Sequence, residues 1–207
     1  MAELYRLLEK LSAPEPNEHI SRVASAPGFL TREECIKVIE LTEELAEEQG
    51  GVYSANSNGC HKRLSRARDR YHVRKAKVKW MPPSMGNMWL YDKLEQAIQN
   101  LNKMYRFDLY GFEMLQVSTY ADGGHFDWHI DMGGKNESTR KLSISVQLTD
   151  VTEYTGGDLE FIGNVGKIHK TVGSLIAFPS FLAHRVTPVV TGTRISLVGW
   201  IHGPALR

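Results

Sequence analysis

The sequence predicts an α+β fold in which helices near the N-terminus brace a β-sandwich or barrel of the jelly-roll type. Two observations carry this prediction. Before residue 105, apolar residues recur at helical spacing in three segments. After Asp108 the chain changes to short β-rich runs separated by Gly, Asp and Asn. Helices followed by strands are typical of an α+β arrangement in which the helices cover one face of the sheet.

The length and composition favour one globular domain with a short extension. The chain has 207 residues, of which 42% are hydrophobic and 24% are charged. A single core typically serves about 100 to 200 residues. We predict an N-terminal extension over residues 1–27 and one domain over residues 28–207. The formal net charge of +1 excludes general attraction to nucleic acid or anionic lipid, so any basic surface must be local.

The cysteines and the N-terminal sequence indicate in which cellular compartment the protein is expected. Cys35 and Cys60 are the only cysteines, and neither belongs to a CxxC or Cys/His cluster, so no disulfide framework or zinc knuckle is indicated. The sequence MAELYRLLEKL carries acids among its apolar residues, unlike a signal peptide. No apolar run approaches the ~18 residues of a membrane span. We therefore expect a soluble cytoplasmic protein without a membrane partner.

Three segments have the apolar spacing of helices. The first lies in the extension and ends before Pro14 and Pro16. The second opens with a capping box, Thr31 followed by Glu34, and runs through a Glu-rich end before Gly50. The third precedes the β-rich half. The apolar positions are Leu4, Leu7, Leu8 and Leu11 in the first segment, Cys35, Val38, Ile39 and Leu41 in the second, and Leu90, Leu94, Ile98 and Leu101 in the third.

Six short runs predict the strands of the core. They are EMLQVSTY, KLSISVQL, DLEFIG, SLIAF, HRVTPVV and TRISLVGWI. Within KLSISVQL, apolar and polar residues alternate strictly, which is the period of a half-buried strand. The apolar positions are Leu142, Ile144, Val146 and Leu148 and the polar ones are Lys141, Ser143, Ser145 and Gln147.

The densest group of metal-capable side chains lies in the segment that ends at Asp131. Residues two apart on a strand project to the same side, so His129 and Asp131 can present a nitrogen and an oxygen to one ion. His184, which follows a Pro-Ser turn, is a third candidate. Two histidines and one carboxylate on one face leave other coordination positions open, which suits non-haem Fe(II) and not a closed structural zinc site. Arg194, on the next predicted strand, has a planar fork suited to a carboxylate.

The spacing of this segment resembles a known motif. Tyr120, Gly123, Phe126, His129 and Asp131 fill the pattern Tyr, two residues, Gly, two residues, an aromatic, two residues, His-x-Asp. The pattern resembles the prolyl 4-hydroxylase-type branch of the Fe(II)- and 2-oxoglutarate-dependent oxygenases. EYTGGDLEF, VGSLIAFPSFLAHRVTPVVTGTR and APGFLTREEC are similar to further stretches of that family. The resemblance implies a double-stranded β-helix (jelly-roll) core braced by N-terminal helices.

The resemblance also implies a set of ligands and the residues that hold them. His129, Asp131 and His184 match the iron ligands, and Arg194 matches the residue that pairs with the distal carboxylate of 2-oxoglutarate. The implied cofactors are Fe(II), 2-oxoglutarate as cosubstrate and O₂, with ascorbate as a reductant.

Further pocket residues follow from the same resemblance. Tyr120 matches a position that often donates its hydroxyl to the cosubstrate, and Ser196 would share the carboxylate with Arg194. Trp200 matches an aromatic residue that packs under the cosubstrate. Relatives often have Tyr where this chain has Phe126, so we expect one phenolic hydrogen bond of the pocket to be missing.

A second His-x-Asp pair competes with the first. His125 and Asp127 lie on the same predicted strand and have the same facing parity as His129 and Asp131. The register of the motif, including Gly123, favours the later pair. The alternative for the earlier pair is a solvent-exposed lip or hydrogen bonding to substrate.

The resemblance implies a dioxygenase that hydroxylates a protein side chain, prolyl above all, or a small amino-acid-like molecule. One alternative is a non-catalytic metal-binding jelly-roll module. Another is a nucleic-acid-directed oxygenase that uses the basic segment 62–79, although RISLVGWIHG lacks the second arginine of such relatives. The segment can also be a solvated face balanced by nearby glutamates. Its basic residues are Lys62, Arg63, Arg66, Arg68, Arg70, Arg74, Lys75, Lys77 and Lys79.

Overall fold

The computed structural model describes residues 17–51, 53–55, 61–63, 73–163 and 168–205. Its α-helices in this part of the chain are α1 (Arg32–Glu40) and α2 (Met88–Tyr105), and a 3-10 helix spans Lys135–Thr139. The strands are β1 (Ala24–Ala26), β2 (Glu47–Gln49), β3 (Tyr53–Ala55), β4 (His61–Arg63), β5 (Arg74–Lys75), β6 (Lys77–Met81), β7 (Gly111–Phe112), β8 (Leu115–Ala121), β9 (His125–His129), β10 (Arg140–Gln147), β11 (Tyr154–Gly156), β12 (Leu159–Phe161), β13 (Leu175–Pro179), β14 (His184–Val186) and β15 (Val189–His202).

Two antiparallel sheets form the β core. The larger, as described, has nine strands in the order β1-β13-β10-β15-β8-β6-β2, with β7 and β11 also paired to β15. The smaller has four strands in the order β12-β14-β9-β5, and β3 pairs with β4 separately. Side chains of both sheets pack between them, as Tyr120 of β8 does with Val186 of β14. The two packed sheets confirm the predicted jelly-roll core.

The two described helices brace the larger sheet. Leu90, Leu94 and Ile98 of α2 are buried in one cluster with Leu142 and Ile144 of β10. Burying one such side chain contributes roughly 1.5–3 kcal/mol, so this face carries much of the stability of the fold. None of the helices in the described ranges is long and apolar enough to cross a membrane.

Helix α1 begins as the sequence predicts but ends earlier. Thr31 Oγ1 accepts a hydrogen bond from Glu34 N at 3.2 Å, and Glu34 Oε2 accepts one from Thr31 N at 2.8 Å, which confirms the capping box. The predicted Glu-rich continuation is wrong, because Glu47–Gln49 forms β2. Pairing of β2 with β6, together with a 2.8 Å ion pair between Glu47 and Lys77, overrides the helix propensity of the glutamates.

Strand β10 is buried on both faces, so the prediction of a half-buried strand is wrong. Its apolar residues pack under the helices, and Ser143 and Ser145 are buried as well. The reason is that the smaller sheet covers the polar face. The hydroxyls of Ser143 and Ser180 hydrogen-bond to each other at 2.9 Å, so their burial does not leave them unpaired.

The end of the predicted extension is part of the larger sheet. Ala24, Ser25 and Ala26 pair with Ala177, Ile176 and Leu175 of β13. The hydroxyl of Tyr105, at the end of α2, accepts a hydrogen bond from Ala24 N at 3.1 Å. Strand β1 therefore precedes the predicted boundary at residue 28 yet pairs within the main core. The predicted helix over Leu4 to Leu11 lies outside the described residues.

Candidate metal centre and active site

Two histidines face each other across neighbouring strands of the smaller sheet. His129 ends β9, His184 begins β14, and the two are direct partners in the antiparallel register. Cross-strand partners project to the same face of a sheet, and the two ring centroids lie 4.2 Å apart. Asp131 follows β9, where its backbone N–H donates to Ser180 O at 2.9 Å.

The three side chains form one compact group. His129 Nε2 lies 3.7 Å from Asp131 Oδ1, and His184 Nε2 lies 3.6 Å from Asp131 Oδ2. One nitrogen or oxygen from each residue lies within 4.8 Å of the others. Two imidazole nitrogens and a carboxylate oxygen at this spacing can hold a single metal ion.

Backbone carbonyls orient both imidazole rings. His129 Nδ1 donates to Asp127 O at 2.7 Å, and His184 Nδ1 donates to Leu182 O at 2.9 Å. A ring whose Nδ1 carries the proton has its free lone pair on Nε2, the atom that faces Asp131. The local chain geometry thus places both histidines in the tautomer that can bind a metal through Nε2.

The electrostatics favour a neutral His129 imidazole beside an ionised Asp131 carboxylate. Burial, reinforced by the neighbouring His184, lowers the pKa of His129 to about 4. Burial by itself would raise the pKa of Asp131. The two histidines, the Ser143 hydroxyl and Arg140 together outweigh burial and hold that pKa below its ordinary value. These are the protonation states that metal coordination requires near neutral pH.

Aromatic rings pack against both histidines. Phe126 stacks on His129 with ring centroids 3.5 Å apart and an interplanar angle of 13°. Phe178 meets His184 edge-on at 4.6 Å. Phe126 occupies the position where a phenol was expected in relatives, and its ring packs against a candidate ligand. The rings restrict the imidazoles and keep water from their faces.

Arg194 lies between the sheets on β15. The residue is 3% exposed, and its Nη1 donates to Ser196 Oγ at 3.3 Å. Burial raises the pKa of the Tyr154 hydroxyl, and the nearby Arg194 guanidinium opposes that rise. No carboxylate of the described residues forms an ion pair with Arg194. A buried cation with neutral partners is costly unless an anion joins it, so this position suits a carboxylate ligand.

The other predicted pocket residues line the same inner cavity, of about 50 Å³. Tyr120 is the register partner of Arg194, whose Cζ lies 5.5 Å from the Tyr120 ring centroid. Ser196 is buried beside the arginine. Trp200 also lines the cavity, and Arg140 Cζ lies 4.2 Å from its ring centroid. The structure therefore brings all seven sequence-predicted site residues to one cavity. The seven are Tyr120, His129, Asp131, His184, Arg194, Ser196 and Trp200.

A wider open cleft of about 900 Å³ adjoins the cavity. Trp80, Trp128, Ile130, Arg140 and Glu113 are among the residues that line it. His129 and Asp131 line both spaces. A molecule in the cleft would therefore reach the candidate metal ligands from outside.

The side chains of the competing His-x-Asp pair make other contacts. His125 Nδ1 contacts Gly123 O at 2.9 Å, and the Asp127 carboxylate accepts from Trp128 N at 2.8 Å. Of the residues that the structure describes, the three-ligand group contains His129, Asp131 and His184 and neither member of the earlier pair.

Sequence reasoning missed Arg74 as a cavity residue. It belongs to the basic stretch that we interpreted as a solvated loop or binding lip, but it is buried and lines the cavity. Lys77 does form an ion pair with Glu47, as the balanced-face interpretation expects. The side chains from 52 to 72 lie outside the described residues. The structure places Arg74 at the start of the short strand β5, which the sequence analysis did not predict.

Comparison with known families identifies the same segment. The profile described as the 2OG-Fe(II) oxygenase superfamily matches residues 115–202. The chain is 35% identical over 87 residues to a PKHD-type hydroxylase of Synechococcus sp. (strain CC9902), covering 41% of this chain and 39% of the relative. It is 36% identical over 94 residues to a PKHD-type hydroxylase of Acidovorax ebreus (strain TPSY), covering 42% and 41%. The chain spans about two fifths of the length of the curated relatives it matches.

Solved structures resemble the whole fold. A viral collagen prolyl hydroxylase from Paramecium Bursaria Chlorella virus-1 has a TM-score of 0.62 at 21% identity, covering 88% of this chain and 96% of that chain. A prolyl-4-hydroxylase from Pseudomonas putida has a TM-score of 0.62 at 18% identity, covering 98% and 100%. A Trichoplax adhaerens prolyl hydroxylase in complex with a hypoxia inducible factor peptide has a TM-score of 0.64 at 15% identity, covering 98% and 94%. At these identities the likeness concerns the fold.

Proposed function

We propose, on the premise that residues 115–202 form a 2OG-Fe(II) oxygenase domain, that this protein is an Fe(II)- and 2-oxoglutarate-dependent dioxygenase. It hydroxylates a protein side chain or a small amino-acid-like molecule. The observation that carries the proposal is the group of His129, Asp131 and His184, whose ligand atoms lie within 4.8 Å of one another. Among protein side chains we favour prolyl, because the three solved proteins reported above, which share this fold, are prolyl hydroxylases.

The donor set fits Fe(II). Both imidazoles offer Nε2 because their Nδ1 atoms are held by backbone carbonyls, and Asp131 offers an ionised carboxylate. Two imidazoles and one carboxylate on one face are a donor set that would hold Fe(II) and leave room for further ligands. In this proposal His129, Asp131 and His184 are the iron ligands.

The surroundings of Arg194 fit the distal carboxylate of 2-oxoglutarate. The guanidinium is buried without an acidic partner in the described chain, and the Ser196 hydroxyl lies beside it. In this proposal Arg194 binds that carboxylate and Ser196 supports it. Tyr120 donates its hydroxyl toward the cosubstrate, and Trp200 packs under it at the mouth of the cavity.

When bound, iron and 2-oxoglutarate supply oxidative decarboxylation with O₂, which yields succinate, CO₂ and a hydroxylated product. The residues of this chain supply position and exclusion of water. His129 and His184 would bind the metal as neutral ligands through Nε2, because each Nδ1 keeps its proton and donates it in a hydrogen bond to a backbone carbonyl. Arg194 sets the depth at which the cosubstrate lies. Phe126 and Phe178 keep solvent from the ligand rings, and the open cleft receives the substrate.

Two finer points belong to the same proposal. We propose ascorbate as the reductant that keeps the iron divalent, and a cytoplasmic location, which the low cysteine content favours. The side chains from 62 to 72 of the basic segment lie outside the described ranges. No residue within those ranges specifically favours a nucleic-acid substrate.

The test is consumption of 2-oxoglutarate by the purified protein with Fe(II) and O₂, measured as succinate. Turnover without the true substrate is slow, so anaerobic binding of 2-oxoglutarate to the Fe(II) protein is measured in parallel by the visible absorption of the chelate. We expect both binding and slow succinate formation. Binding without succinate under any condition would favour the non-catalytic metal-binding module. Absence of 2-oxoglutarate binding would refute the proposal.

A further inference from the structure

A second buried arginine lies beside the candidate metal centre, and the function proposed above gives it no role. Arg74 on β5 is 8% exposed and lines both the inner cavity and the open cleft. Its register partner is Phe126 of β9, and its Cζ lies 4.5 Å from the centroid of that ring. Phe126 in turn stacks on His129 at 3.5 Å. One aromatic ring therefore links the Arg74 guanidinium to a candidate metal ligand.

The partners of Arg74 are all neutral. Nη2 donates to Gln116 Oε1 at 2.9 Å and to Ser118 Oγ at 3.4 Å, and Nη1 donates to Gly51 O at 3.5 Å. Nε has no acceptor. Within the described ranges no Asp or Glu forms an ion pair with Arg74. A cation buried in this way destabilises the empty protein, because it loses hydration without gaining an opposite charge.

The chain provides specific room for this guanidinium. A Cβ atom at Gly50 would lie 2.6 Å from Arg74 Nε, so another residue at position 50 would displace the arginine. The stacked Phe126 ring and the Gln116 amide hold the other sides. Arg74 is therefore fixed in place, which is the condition for specific binding by a charged group.

A second unpaired donor lines the same spaces. In the part of the chain that the structure describes, the buried side-chain nitrogens without an acceptor are Arg74 Nε and Trp200 Nε1. Both residues line the inner cavity and the cleft. Buried N–H groups are normally satisfied, so acceptor oxygens of a ligand would supply the hydrogen-bond partner that each donor lacks.

We propose that Arg74 binds a carboxylate of the substrate, with Trp200 Nε1 as a further donor to the same ligand. The inference rests on the proposed function and names its substrate class: a molecule that carries a free carboxylate close to the carbon that is hydroxylated. Arg194 takes the carboxylate of the cosubstrate, and Arg74 takes that of the substrate. The carboxylate belongs either to a free amino-acid-like molecule or to an acidic side chain of a peptide, and both sources share this chemistry.

The test measures binding and not turnover. The protein is loaded with Mn(II) and saturated with 2-oxoglutarate, and four probes are titrated by calorimetry. L-proline and L-prolinamide form one pair, and the peptides acetyl-Pro-Glu-amide and acetyl-Pro-Gln-amide form the other. We expect the acid of one pair to bind at least about tenfold more tightly than its amide, since a charge-assisted hydrogen bond supplies that difference. Selectivity in the first pair identifies a small-molecule substrate, and selectivity in the second identifies an acidic peptide.

Arg74→Gln should remove this selectivity. The matched control is Arg185→Gln, which removes the same charge from a residue that pairs with Glu160 and lines neither space. The control should keep the selectivity. Arg74→Lys keeps the charge but loses the fork, so it should retain part of the selectivity, and it replaces Arg74→Gln if that variant does not fold.

Thermal unfolding separates a binding role from a structural one. Arg74→Met should keep or raise the midpoint of the empty protein, because an uncompensated cation is removed, and the favoured acid probe should raise the midpoint of the wild type but not of the variant. A structural arginine would instead lower the midpoint. Two results would overturn the inference. One is equal binding of acids and amides by the wild type. The other is that Arg74→Gln binds 2-oxoglutarate more weakly but binds the probes as the wild type does. Failure of the Mn(II) protein to bind 2-oxoglutarate would instead refute the proposed function, and the probes can then be titrated without it.

Discussion

The two faces of the larger sheet differ in what they bury. Toward α1 and α2, strands β10 and β15 present Leu142, Ile144 and Leu197, each 0% exposed. Toward the smaller sheet, β15 presents Arg194 and Ser196, which are nearly as buried but polar. The first face is a continuous apolar core. The second is a cavity whose polar groups are partly paired with one another and partly left for ligands.

Because the two faces bury different groups, one face of the same strands stabilises the fold and the other can bind ligands. An apolar core loses stability with every atom removed, because dispersion contacts and burial are lost together. A polar cavity with incomplete pairing gains little stability from its charges. We therefore expect changes on the helix-facing side to lower the free energy of unfolding, and changes on the cavity side to alter ligand binding first.

The largest effect is expected at the candidate iron ligands. Asp131→Ala removes the one carboxylate of the group, so 2-oxoglutarate-dependent succinate formation should be lost while the fold is retained. The matched pair His129→Ala and His125→Ala tests the register within β9. The first should lose Mn(II) binding, measured by paramagnetic resonance, and the second should keep it. Loss in both, or full activity of Asp131→Ala, would contradict the assignment.

On the opposite face, Leu142→Ala should lower the free energy of unfolding by about 2–5 kcal/mol, because a fully buried side chain leaves a cavity. Chemical denaturation measures this change. The affinity for 2-oxoglutarate, measured well below the unfolding transition, should stay within about twofold of the wild type if the two faces are independent. A larger change in affinity would show that the faces are coupled.

A smaller effect is expected at the cosubstrate end of the cavity. Arg194→Met removes a buried, charge-assisted contact of about 1.5–3 kcal/mol, so the concentration of 2-oxoglutarate needed for half-saturation should rise on the order of 10- to 100-fold. Binding to the Mn(II) protein checks this without turnover. Arg194→Lys should recover part of the affinity. An unchanged requirement in Arg194→Met would remove Arg194 from its proposed role.

The smallest effect is expected at the N-terminal cap of helix α1. Thr31→Ala removes the hydroxyl that accepts from Glu34 N and should destabilise the fold by about 1 kcal/mol. Thr31→Ser keeps the acceptor and serves as the control. Equal loss in both variants would mean that the cap hydrogen bond does not stabilise α1.

Features with a local physical cause could be predicted from the sequence. The capping box of α1 depends on two residues three positions apart, and the structure contains it. The alternation in β10 and the parity of His129 and Asp131 depend on the period of a strand. The pairing of His129 with His184 is not local. The Pro-Ser turn before His184 made it a candidate, and the resemblance to a family implied that it is a ligand.

Features that depend on residues far apart in the chain could not be predicted from local sequence patterns. Glu47–Gln49 is a strand because β6 lies beside it, against the helix propensity of its glutamates. The polar face of β10 is buried because the smaller sheet covers it. Arg74 stands in a basic run, but Gly50, Phe126 and Gln116 bring it into the cavity.

By itself the sequence determined the capping box of α1, the apolar face of α2, the β-rich half after Asp108, and the residue types available to hold a metal and a carboxylate. These follow from the period of the backbone and from side-chain chemistry. Only the tertiary structure decided which polar residues are buried and which of them lack partners. Burial and pairing depend on contacts between segments far apart in the chain, and no local pattern records those contacts.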